Sequence, residues 1–266
     1  MTKLGNLIQW FNGKGKVLVA LSGGVDSALV AYAAYQSLGT SSLAVTADYK
    51  TLAQEELESA KKIRLEIGIR HIVIQYNELE NSNFIKNDKN RCFYCRTELS
   101  DHLKEIAVKE NANLIVDGTN LDDLGDYRPG IKALRENGIK SPLVEVGFTK
   151  IQVREEARKV GLSVYDRPSN SCLASRIPWG QWVTAERLAR IEMGEMMVKQ
   201  FFGVRQVRVR DFGGIARIEV GNEEIELLSD KSKLSEVTSR LKQIGFSSVV
   251  VDPEGYRPSK INVIID

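Results

Sequence analysis

Along the first 165 residues, short apolar runs alternate with longer amphipathic segments. Lys16-Val-Leu-Val-Ala-Leu21 is rich in β-formers and stops at Ser22-Gly23-Gly24, which predicts a buried strand running into a turn. Residues 28–38 are apolar and alanine-rich without Gly or Pro and predict a helix. A second strand is expected over 42–47. Residues 53–67 predict an amphipathic helix, with Leu57, Ala60, Ile63, Leu65 and Ile67 set among charges and Gly68 as its C-cap. Strands are expected again at 71–75 and 113–117, with helices at 97–110 and 150–160. Strands alternating with helices imply an α/β fold, a parallel sheet with helices on both faces, whose ligands bind at the strand ends.

The pattern changes after Ser163. Residues 163–182 hold Pro168, Pro178, Gly180 and several Ser and Asn, and read as a long loop. A helix follows over 184–201 with Thr184 as N-cap. Residues 206–211 and 215–220 alternate like a hairpin around Gly213-Gly214, before a helix at 232–244 and a strand at 247–252. The expected organisation is an α/β domain over 1–165, a cysteine-bearing loop over 166–182 and a small α+β domain over 183–266.

Composition acts mainly by exclusion. The 266 residues are 42% hydrophobic and 27% charged, as in ordinary globular chains. Lys and Arg total 37 against 35 Asp and Glu, a net charge of +2 that gives no reason to expect nucleic-acid binding. No apolar run approaches the ~18 residues that would span a bilayer. Met1–Trp10 does not read as a signal peptide, so a cytoplasmic, reducing setting is expected.

Ser22-Gly23-Gly24-Val25-Asp26-Ser27 joins a strand to a helix. Its glycines let backbone N–H groups turn toward an anion, the helix start adds a positive end, and Ser22 and Ser27 add hydroxyls. The loop has no Lys, and neither Walker A nor Gly-x-Gly-x-x-Gly spacing is present. Asp117-Gly118-Thr119-Asn120 also follows a strand. There Gly118 would allow close approach of a nucleotide, and Asp117 could help hold a divalent cation. The Ser22–Ser27 loop resembles the pyrophosphate-binding (PP) loop of the N-type ATP pyrophosphatases. The resemblance implies that ATP is cleaved between its α and β phosphates and that AMP is placed on a substrate oxygen. It also makes Ser22, Gly23, Gly24, Asp26, Ser27, Gly118 and Thr119 nucleotide contacts and puts Ala47 to Tyr49 beside the adenine.

The three cysteines are too few for a disulfide scaffold. Cys92 and Cys95 form one Cys-x-x-Cys pair in a polar stretch before the helix expected at 97, and Cys172 lies in the long loop. All three are thus expected in loops. A chance grouping, a structural zinc site, an iron–sulfur cluster on three thiolates and a Cys92–Cys95 redox disulfide all fit. His71 and His102 read as structural residues. Arg208 and Arg210 share one face of a strand and, with Ser175 and Arg176, suit a phosphate; a solvated basic face is the alternative. Glu192, Glu195 and Glu219 are candidate partners for a metal or for arginine.

Asn170-Ser-Cys172-Leu-Ala-Ser175-Arg176-Ile-Pro-Trp179-Gly180, Val207-Arg208-Val209-Arg210, Ile215-Ala-Arg217-Ile-Glu219 and Asp126-Tyr-Arg128-Pro-Gly130, together with the PP loop, resemble the LarE family of ATP-dependent sulfur insertases over essentially the whole chain. The resemblance implies adenylation of a carboxylate of pyridinium-3,5-biscarboxylic acid mononucleotide and its conversion to a thiocarboxylate in nickel-pincer nucleotide biosynthesis. The better-known branch has one cysteine, at the position of Cys172, and gives up its own sulfur. The presence of Cys92 and Cys95 departs from that branch. It implies the three-cysteine type, in which Cys92, Cys95 and Cys172 bind a [4Fe-4S] cluster whose open iron carries an extra sulfide. Expected cofactors are ATP, Mg2+ and the cluster. Expected partners are a small-molecule nucleotide substrate, a sulfide donor and further copies of the chain, with no nucleic acid and no membrane. The rivals are a tRNA-thiolating enzyme of the same superfamily, a sacrificial Cys172, an amidating synthetase and a nucleotide-binding regulator without chemistry.

Overall fold

The computed structural model describes residues 2–125 and 128–257, so Asp126 and Tyr127 of the Asp126–Gly130 motif lie outside the described residues. The chain forms two compact units: Met1–Glu78 with Asn90–Asn170, and Leu79–Lys89 with Ser171–Asp266.

In chain order the elements are α1 (Lys3–Trp10), β1 (Val17–Ala20), α2 (Val25–Leu38), β2 (Ser42–Asp48), α3 (Gln54–Ile67), β3 (Arg70–Gln75), α4 (Ser82–Ile85), α5 (Arg91–Glu110), β4 (Leu114–Val116), α6 (Pro129–Glu136), α7 (Pro142–Val146), α8 (Lys150–Lys159), α9 (Ala185–Phe202), β5 (Val207–Phe212), β6 (Ile215–Val220), α10 (Lys231–Gln243) and β7 (Ser248–Val251).

The first unit is the expected α/β fold. Its sheet has the order β3-β2-β1-β4, with every pairing parallel. β1 is central and apolar because helices cover both its faces: Val17 and Val19 join one core with α2, while Leu18 joins another with Leu99 and Leu103 of α5. α3 buries Leu57, Ala60, Ile63 and Ile67, at helical spacing. Leu65 lies off that stripe and is 68% exposed, unlike the expectation. Gly68 takes the left-handed conformation at the C-cap, with φ +82°.

Several elements depart from the sequence reading. α1, α4, α6 and α7 had no counterpart in it; beside α2, Leu7 of α1 and Phe11 just after it insert into the core. α5 begins at Arg91 rather than near Thr97, so Cys92 and Cys95 occupy the opening turns of a helix and not a loop. Cys, Phe and Tyr are weak helix formers, which hides this start locally. Packing against α6 supplies what propensity lacks. A Cβ on Gly130 would lie 3.0 Å from Arg96 Cγ and 3.4 Å from the Cys92 carbonyl oxygen, so glycine there lets the two helices close up.

In the second unit β5 and β6 form an antiparallel hairpin and β7 adds parallel to β6. Thr184 caps α9 by accepting from the Arg187 N–H. The segment 79–89 belongs to this unit because Asn87 ties it there. Its Nδ2 donates to the carbonyls of Ile177, Pro178 and Gln181, and its own carbonyl accepts from Gly180 N at 3.0 Å. Among the described residues no helix is long and apolar enough to cross a membrane.

Candidate active site

The PP loop lies between β1 and α2, at the carboxyl edge of the parallel sheet. α2 starts at Val25, so Val25, Asp26 and Ser27 form its first turn, whose N–H groups have no partner within the helix. Ser27 Oγ accepts from Ser22 N at 3.1 Å, lies 3.1 Å from Ser22 Oγ, and donates to the Gly24 carbonyl. These bonds fold the loop into a cradle lined by amides and hydroxyls, an arrangement that favours a bound anion.

Gly23 has φ +86°, and a Cβ on it would stand 2.3 Å from the Glu56 carbonyl oxygen of α3. Gly118 is also constrained within the protein itself. Its missing Cβ would sit 2.6 Å from Ser27 N and 2.9 Å from Ser27 Cα, so the glycine lets the end of β4 approach the loop backbone. Asp117 is buried and accepts from Thr119 N and Thr119 Oγ1, the latter at 2.6 Å, which shapes the turn beside the cradle. Ala47 is buried near the end of β2, and Tyr49 just beyond it lies 5.4 Å from the Tyr76 ring.

Three side chains beside the loop were given no role of their own by the sequence reading. Lys150, at the first turn of α8, forms an ion pair with Asp26 of the loop. Asn120 Nδ2 donates to the other oxygen of the same carboxylate at 3.1 Å. Arg167 donates to the Gly23 carbonyl and forms a two-bond pair with Glu56. The only local signal was the Thr149/Gln152 capping box, which marks the start of α8 and so aims Lys150.

The thiols differ in setting. Cys92 is exposed, Cys95 buried and Cys172 intermediate, and none of the three is in a disulfide. Cys92 and Cys95 are one turn apart at the start of α5, and Arg91 Nη2 lies 3.8 Å from Cys92 Sγ. These two belong to the first unit and Cys172 to the second. Among the described residues, no group of three or more His, Cys, Asp and Glu side chains is gathered to hold a metal ion.

In the second unit, Arg176 holds the Cys172 loop. It is fully buried. Its Nη1 donates to the carbonyls of Ser171 and Cys172 and to the hydroxyls of Ser171 and Ser175. Its Nε and Nη2 make a fork on Glu195, at 2.8 and 2.9 Å. Burial pushes the Glu195 carboxyl up, but the Arg176 charge and hydrogen bonds outweigh it and hold the group below the usual carboxylate range. The side chain expected on the substrate phosphate is thus engaged with the loop and Glu195. Ser175 offers its carbonyl to Arg210 Nη1 at 2.9 Å.

Arg208 and Arg210 do share one face of β5, but they are each only 3% exposed, so the solvated basic face is ruled out. Arg210 pairs with Glu219 at 2.9 Å. Arg208 lies 5.0 Å from the Tyr256 ring centre, and burial and then the neighbouring Arg176 charge push its pKa down to about 10, so it stays cationic at neutral pH. Glu195 and Glu219 serve as arginine partners.

His71 and His102 are structural. His71 Nε2 lies 2.8 Å from Thr46 Oγ1, and His102 stacks on Tyr76 with centroids 4.4 Å apart.

A family model described as queuosine biosynthesis protein QueC matches residues 16–121. An uncharacterized protein of Synechocystis sp. is 42% identical over 264 residues, covering 99% of this chain and 98% of that one. The pyridinium-3,5-bisthiocarboxylic acid mononucleotide synthase of Lactiplantibacillus plantarum is 30% identical over 265 residues, covering 98% and 94%. An uncharacterized protein of Methanocaldococcus jannaschii is 28% identical, covering 95% and 94%. With the parallel sheet, the donor-lined loop at its edge and similarity along nearly the whole chain, the protein belongs to the LarE family of ATP-dependent sulfurtransferases, within the PP-loop ATP pyrophosphatase superfamily.

Proposed function

We propose that this enzyme adenylates a carboxylate of pyridinium-3,5-biscarboxylic acid mononucleotide with MgATP and converts it to a thiocarboxylate. The observation that carries the nucleotide half is the open Ser22–Ser27 cradle with Lys150 held at its rim by Asp26. Full-length similarity to the mononucleotide synthase supports the choice of substrate.

In the first step a carboxylate oxygen attacks the α-phosphorus of ATP and pyrophosphate leaves. The amides of the loop and the first turn of α2 take up the charge that develops on the leaving group, and Lys150 transfers from Asp26 to it. In the second step sulfur attacks the activated carbonyl carbon and AMP departs. In this reading the 5′-phosphate of the substrate is assigned to Arg208, with Arg210 and Ser175. Arg176, through Glu195, fixes the loop that carries Cys172.

Three cysteines outside any disulfide, two of them one helical turn apart, are a donor set that suits a cluster with one open iron. A [4Fe-4S] cluster held by Cys92, Cys95 and Cys172 would supply the sulfur as an extra sulfide on that iron. Cys92 and Cys95, one turn apart at the start of α5, would be two of its three ligands.

The test is anaerobic turnover of the mononucleotide with MgATP and sulfide, followed by mass spectrometry. AMP, pyrophosphate and a thiocarboxylate product in multiple turnovers are expected. One sulfur per chain with conversion of Cys172 to dehydroalanine would establish the sacrificial route instead. AMP formation without any sulfur product would overturn the thiolation.

A further inference from the structure

The carbonyl of Gly23 is held from outside the PP loop by two donors. Ser59 Oγ of α3 donates to it at 2.8 Å and Arg167 Nη1 at 3.3 Å. We propose that this clamp is what turns the Gly24 amide toward the pyrophosphate of ATP, making Arg167 and Ser59 positioning residues. The inference rests on the reading of the loop as the ATP cradle.

No described peptide bond is cis, so the Gly23 carbonyl and the Gly24 N–H point in opposite directions within one peptide plane. Tying the oxygen outward, onto α3 and Arg167, therefore aims the N–H inward. Among the described residues no acceptor engages that N–H. The two donors on the oxygen also polarise the peptide and strengthen its N–H as a donor. Without them this Gly–Gly peptide is the least sterically restrained link in the loop. Its carbonyl could then rotate inward and present lone pairs to a phosphate.

The clamp is itself rigid. Glu56, on α3, accepts from both terminal nitrogens of Arg167, at 2.6 and 3.1 Å. Asn170 Nδ2 donates to the same carboxylate at 3.0 Å, and Arg167 Nη2 reaches the Glu55 carbonyl. Glu56 is only 7% exposed and cancels the guanidinium charge, so Arg167 acts through geometry rather than as a free cation on the phosphate. Arg167 also stands five residues before Cys172, in the segment read from sequence as a long cysteine-bearing loop.

Calorimetric titration of the whole protein with magnesium pyrophosphate, together with the KM for ATP, tests this. Arg167→Met should weaken pyrophosphate binding and raise the KM for ATP by about tenfold, the size expected for losing a charge-assisted bond. The KM for the mononucleotide substrate should stay near that of the parent. Arg167→Lys should recover part of the loss. Ser59→Ala should give a smaller loss in the same direction, and it decides the matter if Arg167→Met does not fold. Parent-like pyrophosphate affinity in folded Ser59→Ala and Arg167→Met would overturn the clamp. Gly24→Val separates the two readings. If it abolishes pyrophosphate binding while the clamp variants bind normally, only the clamp fails. If it binds normally too, the cradle reading fails with it.

Discussion

Lys150 and Asp26, 124 residues apart in the chain, form an ion pair at the mouth of the PP loop, and Asn120 holds the second oxygen of that carboxylate. The pair holds a cation beside the anion cradle. In the proposed mechanism a phosphate of higher charge density takes the lysine from Asp26.

Lys150→Met should therefore weaken binding of ATP and pyrophosphate by about tenfold or more, since a charged hydrogen bond contributes roughly 1.5–3 kcal/mol. The cluster should be retained. Titration with both ligands checks the first outcome and iron content the second. Unchanged affinity would show that the lysine stays on Asp26 throughout.

The loop glycines should differ in tolerance. A Cβ at Gly23 or Gly118 meets backbone at 2.3 and 2.6 Å, while at Gly24 the nearest atom is Ser22 Oγ at 3.6 Å. Gly23→Ala and Gly118→Ala should lower the melting temperature and abolish ATP binding. Gly24→Ala should melt like the parent. Thermal unfolding of the three variants gives the order directly.

Replacing any one of Cys92, Cys95 and Cys172 by Ala should remove iron and acid-labile sulfide, about four of each per chain, and stop sulfur transfer while sparing ATP binding. Metal analysis on protein reconstituted without oxygen reads this. Full multi-turnover activity in the Cys92 and Cys95 variants would defeat the three-thiolate set.

Arg176→Met strands the buried Glu195 carboxylate and unties the Cys172 loop. It should cost about 3–5 kcal/mol in urea unfolding, as breaking a buried pair does. The double variant Arg176→Met/Glu195→Met should recover stability but not sulfur transfer, because the loop would still lack its donor to the Ser171 and Cys172 carbonyls.

Burial, then the charges of Arg64 and Lys61, pushes the His71 imidazole down to about 4. In the unfolded chain it titrates near 6.5, so between those values the unfolded state binds more protons. Its contribution to stability is therefore intact above about pH 6.5 and falls as pH drops toward 4. His71→Gln should flatten that acid-side slope in urea midpoints measured from neutral pH downward. An unchanged slope would assign the acid sensitivity to other groups.

The alternation of apolar runs and amphipathic segments made the parallel sheet legible. The Ser22–Ser27 motif did the same for the anion cradle, because strand, turn and helix start are properties of adjacent residues. Thr184 as a cap and the hairpin around Gly213-Gly214 were readable for the same reason. The start of α5 was not, since weak helix formers there depend on α6 packing against Cys92 and Arg96.

Local chemistry, then, determined by itself the fold class, the loop that takes a phosphate and the residue types available for sulfur chemistry. Only the tertiary structure decided that Lys150 meets Asp26, that Arg167 and Ser59 hold Gly23, and that Arg176, Arg208 and Arg210 are buried rather than solvated. The cost of burying a charge depends on which opposite charge lies beside it in space. Partners such as Glu56 for Arg167, 111 residues away, leave no periodicity or spacing in the chain to announce them.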